Sequence, residues 1–112
     1  MVDSTLPIVV ADWYAGLPGL EVEQVWVWSG WVRIVLFDPV PRAGGDPYVD
    51  LNDFQFTDAE GKEWDVRTAD DPRTAGPVLG LLRCRLATAQ TKDEILTLVF
   101  DNGARIVGDL PL

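Results

Sequence analysis

Apolar and polar positions alternate with the period of a strand along most of this chain. Leu20 to Trp28 and Trp31 to Phe37 are rich in valine, isoleucine and tryptophan. The Ser29-Gly30 step between them suits a tight hairpin turn, because glycine tolerates a positive φ. In the second arm Val32, Ile34 and Leu36 share one face, while Trp31, Arg33, Val35 and Phe37 share the other. Both faces are largely apolar, which predicts a central place in a sheet with something packed on each side. Asp38 to Pro47 then holds three prolines and Gly44-Gly45 and cannot continue a ladder, so it reads as a surface loop.

Strand character resumes at Tyr48 and runs to Phe56, with a break in phase: Val49 and Leu51 fall on one face, Phe54 and Phe56 on the opposite one. A bulge near Asn52 or Asp53 would reconcile them. Asp58-Ala59-Glu60-Gly61 turns the chain into Glu63 to Val66. Asp70-Asp71-Pro72 carries the signature of a helix start, an acidic cap followed by a proline whose missing N–H would be unsatisfied anyway. The pattern predicts a short helix around residues 72–82, with Val78, Leu79, Leu81 and Leu82 forming its apolar side. Cys84 to Thr91 and Ile95 to Phe100 read as another strand pair, and Asn102-Gly103 turns the chain into Ala104 to Val107. About seven strands and one short helix make an α+β fold, mostly antiparallel β, as a sandwich or a half-barrel. With no internal repeat and no low-complexity stretch, residues 1–112 read as one small globular domain.

Charge adds to this picture. Eighteen Asp and Glu against nine Lys and Arg leave a net charge of −9. Such a field repels phosphate backbones, disfavours nucleic acid and attracts basic proteins, although the same charge also serves plain solubility. The acids concentrate between Asp46 and Asp71, where Asp50, Asp53, Asp58 and Glu60 are candidates for steering a basic partner. Cys84 is the only cysteine, so no intramolecular disulfide forms, and a reducing cytoplasm fits best. The apolar run Leu6 to Val10 is too short for a signal-peptide core or a membrane span.

Candidate chemistry is sparse. With no histidine, the chain lacks the commonest general base and the commonest transition-metal ligand. Ser4 and Ser29 lie in no nucleophile elbow, Cys84 reads as a core thiol, and Gly44-Gly45 lacks the lysine and hydroxyl of a phosphate loop. Asp50, Asn52, Asp53 and Asp58 miss the spacing of a calcium loop, so neither metal nor cofactor is expected. The other cluster is aromatic. Trp26, Trp28 and Trp31 surround one tight turn, with Trp13-Tyr14 upstream. Three readings of these rings stay open: core packing, anchors for a protein partner, or a stacking platform for sugars.

In order along the chain, Trp13, Leu20-x-Val22-x-x-Val25, Phe54-x-Phe56-x-Asp58-x-x-Gly61, Asp71-Pro72 with Pro77-Val78-Leu79-x-Leu81-Leu82, and Leu96-x-Leu98-x-Phe100-x-x-Gly103 cover most of its length. This series resembles an uncharacterised family of small bacterial proteins, common in actinobacteria and known only as a domain of unknown function. The resemblance implies an α+β fold and a bacterial cytoplasmic setting, and it brings no catalytic residues. In that family an acidic, Trp-containing segment follows the final hairpin, whereas Leu112 comes soon after it here, and the loop at Asp38 to Pro47 looks longer than usual.

Together these features point to a non-enzymatic binding protein, of the kind of an immunity protein or antitoxin that masks a basic toxin or effector. Asp50, Asp53, Asp58 and Glu60 would steer, and exposed members of Trp26, Trp28 and Trp31 would anchor. The alternative is a small-ligand, carbohydrate-like module that uses the tryptophans as its platform.

Overall fold

The computed structural model describes residues 16–40 and 45–110. Trp13, Tyr14 and the Leu6 to Val10 run lie outside the described residues. Among the described residues, eight strands form two antiparallel sheets. Strands β1 (Glu21–Trp28), β2 (Trp31–Phe37) and β3 (Tyr48–Leu51) make the smaller sheet, in the order β1-β2-β3. The larger sheet is built from β4 (Phe54–Thr57), β5 (Glu63–Val66), β6 (Leu86–Lys92), β7 (Ile95–Phe100) and β8 (Arg105–Asp109), in the order β5-β4-β8-β7-β6. The two sheets enclose one core, and the α+β, sandwich-like architecture follows the hydrophobic pattern.

The phase break at Asn52-Asp53 produces the eighth strand. These two residues carry the chain from one sheet to the other, so β3 ends and β4 begins there rather than a single strand running through a bulge. Val49 and Leu51 from one side, and Phe54 and Phe56 from the other, then all face the same core, each 4% exposed or less. Changing sheets solves the problem that a bulge was expected to solve.

A second link lies at the start of β1. Val22 N–H donates to the Cys84 carbonyl (2.8 Å) and Arg83 N–H to the Val22 carbonyl (2.9 Å), while Leu86 N–H reaches the Leu20 carbonyl (2.9 Å). Residues 83–86 therefore run beside the first part of β1 before they enter β6, joining the sheets at a corner. A third tie closes the other end. Thr68, fully buried just after β5, accepts a hydrogen bond from Gly30 N–H at the tip of the β1–β2 hairpin (3.0 Å). Gly30 sits at φ +101, as the tight turn requires.

The helix spans Pro72–Leu81 and is a 3-10 helix. Asp71 caps it, its side chain accepting from Arg73 N–H (2.9 Å), with Pro72 at the first position as the sequence predicts. Pro77 explains the tighter winding. It has no N–H to give a carbonyl one turn back, and it biases Gly76 away from the α region. Ala75, Val78 and Leu81 enter the core, whereas Leu79 and Leu82 remain exposed. Cys84, expected in the core, is half-buried at its margin. Desolvation, with Asp101 nearby, pushes its thiol pKa up, so it is held as a neutral thiol.

One close approach is set by a glycine. Gly108 on β8 pairs with Phe54 and Leu96, and a Cβ there would lie 2.9 Å from the Phe54 Cβ.

Candidate functional site

Period two places Val32, Ile34 and Leu36 of β2, with Val49 and Leu51 of β3, against the core. The opposite phase of the same sheet faces outward. It carries Trp26 and Trp28 from β1, Trp31, Arg33, Val35 and Phe37 from β2, and Tyr48 and Asp50 from β3. The sequence predicts something packed on both faces of β2, which is indeed the central strand. Among the described residues no second layer covers the outer face. Val35 on this face is only 8% exposed, whereas three aromatic side chains keep much of their surface in solvent: Trp26 at 42%, Tyr48 at 41% and Phe37 at 45%. The core reading does not fit this placement of Trp26, Trp28 and Trp31, whereas Trp64 packs at the margin of the core.

Registry builds the cluster. Trp26 lies opposite Arg33, Trp28 opposite Trp31, and Arg33 opposite Asp50. The Trp28 and Trp31 rings stack at 3.9 Å between centroids with planes 3° apart, and Trp26 leans on Trp28 at 5.4 Å and 53°. Arg33 stands in the middle. Its guanidinium carbon is 3.9 Å from the Tyr48 ring centre, and between 5.1 and 5.6 Å from those of Trp31, Trp26 and Trp28. Asp50 grips it through both oxygens, Nε to Oδ1 at 2.8 Å and a terminal nitrogen to Oδ2 at 3.1 Å. That fork raises the Arg33 pKa further above its ordinary range, so the charge is permanent. The cation is already shared among rings and carboxylate, which leaves it little capacity to bind an anion from outside. It ties β2 to β3 beside the rings.

At the far end from the hairpin tip, Glu23 occupies the bulge of β1 and meets Asp46, the residue before Pro47. Desolvation and then the Asp46 charge raise the Glu23 pKa. This end of the sheet is strongly acidic.

The candidate acids therefore separate. Asp50 lies inside the aromatic cluster as the partner of Arg33. Asp53 is exposed at the corner between the sheets, where its charge adds to those of Asp65 and Asp70 around Arg67. Asp58 organises the β4–β5 turn, accepting from Glu60 N–H (3.0 Å), Lys62 N–H (2.9 Å) and Trp64 Nε1–H (3.1 Å). Those donors, the Trp64 indole first, lower its pKa. Glu60 is exposed in that turn. Asp58 and Glu60 border a shallow open cleft of about 420 Å³ whose other walls include Trp64, Pro77 and Asn102. Among the described residues, no group of three His, Cys, Asp or Glu side chains is arranged to hold a metal ion, and no helix is long and apolar enough to cross a membrane.

Sequence reasoning put Arg33 and Phe37 on one face with Trp31 but did not count them, or Tyr48, among the candidate binding residues. Their signal is their phase. Arg33 alternates with buried Val32 and Ile34, and Tyr48 with buried Val49.

Comparison of the chain with known protein families, with curated proteins and with solved structures finds no match.

Proposed function

We propose that this chain is a non-enzymatic binding protein that grips a partner protein with the outer face of its smaller sheet, as an immunity protein or antitoxin masks a basic toxin domain in the bacterial cytoplasm. The contrast between the two outer faces carries the reading. The larger sheet turns mainly polar and charged side chains such as Gln55, Asp65, Arg105, Gln90 and Lys92 to solvent, with the aliphatic Ile95, Val99 and Val107 among them and no aromatic ring among the described residues. The smaller sheet instead presents Trp26, Phe37 and Tyr48, together with the half-buried Trp28 and Trp31. Exposed aromatic area of this kind is characteristic of protein interfaces. Glu21, Glu23 and Asp46 beside it favour a basic partner and would speed its approach at low salt.

The sugar-platform reading has weaker support. A platform needs ring faces lying open and roughly coplanar, whereas Trp28 and Trp31 spend one face each on the other and Trp26 is tilted away. The rings offer edges and flanks, which suit the irregular surface of a protein.

Titration of the chain against the activity of a toxin domain encoded beside it tests the proposal. Neutralisation at a one-to-one ratio is expected, with association slowed by salt. Trp26→Ser and Tyr48→Ser should each weaken it by about thirtyfold or more, the loss typical of an interface hot spot. Undiminished neutralisation by the double variant would remove this face from the account.

A further inference from the structure

We infer that the partner is held by strand addition, an extended basic-flanked segment pairing with the free edge of β1 at Gln24 to Trp28. The inference deepens the protein-binding reading and rests on it. Leu36 N–H points away from β1, donating to the Pro47 carbonyl (2.9 Å). By the two-residue period of the strand, Ile34 and Val32 also turn their backbone groups toward β3. Their partners across the β1–β2 ladder are Val25 and Val27. The N–H and C=O groups of Val25 and Val27 therefore point out of the sheet, and among the described residues no backbone hydrogen bond beyond the ladder uses them. The same edge is already read once by the chain itself, since Val22 pairs there with Cys84 and Arg83. A new strand would continue that line.

Composition separates this edge from the others. The β3 edge is four residues long, follows Pro47 and carries Asp50; the β5 edge carries Glu63 and Asp65; the free part of β6 is threonine, alanine and glutamine, ending on Lys92. Short length, proline, charge and polarity are the usual protections of a sheet edge. Val25-Trp26-Val27-Trp28 has none of them; the charge and the bulge of β1 lie earlier, at Glu21 and Glu23. An added strand would set alternate side chains beside Trp26 and Trp28 on one face, and on the other toward the helix that packs against β1 and leaves Leu79 and Leu82 exposed. The occupant is therefore β-branched or aromatic in both phases. Its flanks are basic, because Glu23 and Asp46 lie together at one end of the edge, Glu21 being already engaged by Arg85, and the net charge of −9 opposes a second copy of this chain.

The test uses the full chain and the peptide acetyl-Lys-Val-Tyr-Ile-Thr-Val-Lys-amide, with two versions N-methylated at alternate residues in opposite phases. We expect saturable binding that slows exchange of the Val25 and Val27 amides at least tenfold. Methylation in one phase should abolish binding and in the other spare it, and glutamate flanks should weaken it. Val27→Pro, tolerable on an unpaired edge, should lose the peptide while keeping the thermal midpoint near that of the parent. Val27→Lys gives a second variant that retains the backbone N–H and should weaken binding by setting a positive charge beside the apolar, basic-flanked strand. Three results would overturn the inference: equal binding of both methylated peptides, protection of Val25 and Val27 in the isolated monomer, or a dimer that protects them. Peptide that binds without protecting the edge, yet is lost on Tyr48→Ser, would leave the aromatic-face reading standing while removing strand addition. Edge protection that survives Trp26→Ser with Tyr48→Ser would do the reverse.

Discussion

Thr68 Oγ1 ties down the tip of the β1–β2 hairpin that carries Trp28 and Trp31, and replacing it measures how firmly that tip is held. Thr68→Val keeps the buried shape and removes only the acceptor for Gly30 N–H. A fully buried donor left unpaired costs about 1–3 kcal/mol, and because Gly30 is half-buried, water restores part of that. About 1–2 kcal/mol remains, which for a domain of this size lowers the melting midpoint by roughly 5–10 °C. Thr68→Ser is the control, since it keeps the oxygen and loses one methyl. The assay is thermal unfolding by circular dichroism, read with the exciton signal of the stacked Trp28 and Trp31 indoles. Val should weaken that signal well below the unfolding transition, and Ser should preserve it. If Val melts with the parent and the indole coupling is unchanged, the hairpin tip is not held by Thr68.

Other consequences follow from particular residues. Gly108→Ala should destabilise by about 1–3 kcal/mol in urea unfolding, because the new methyl meets the Phe54 Cβ and strand pairing prevents retreat. Gly80→Ala, where a Cβ has nothing within 4 Å and φ needs no glycine, should stabilise by about 0.5–1 kcal/mol in the same experiment. Glu94, at φ +65 in the β6–β7 turn beside Asp93 at φ +52, should gain about 1 kcal/mol as Glu94→Gly. The Asp58 carboxylate has a folded pKa below its unfolded one, so its stabilisation is present above the ordinary carboxylate range and is lost as pH falls through the lowered value. Urea midpoints measured below about pH 5 should show this loss in the parent and a smaller one in Asp58→Asn.

Much of the fold could be read locally. Ser29-Gly30 and Asn102-Gly103 mark their hairpins, Asp71-Pro72 marks the helix start, and alternation marks most of the strands, because each signal is spent within a few residues. The Asp93-Glu94 turn has no such signal, since neither residue is the Asn or Gly that its positive φ values favour. The rest is long-range. Alternation in β2 shows two apolar faces without saying which one meets the core, and that is decided by the step at Asn52-Asp53 that carries the chain into the second sheet. The tryptophan trio is visible in the sequence, whereas its central Arg33–Asp50 pair is not. The two residues are 17 positions apart and become neighbours only once the β2–β3 register is fixed. Asp50 and Asp58 look like one acidic group along the chain, yet one supports an aromatic face and the other closes a turn.

Site-specific photo-crosslinking in producing cells tests the central claim most directly. A benzophenone side chain is placed at Tyr48 on the outer face of the smaller sheet, or at Gln90 on the outer face of the larger one. A discrete adduct with one basic protein from Tyr48, and none from Gln90, is the result the account predicts. Equal labelling from both positions, or adducts from Gln90 alone, would contradict it.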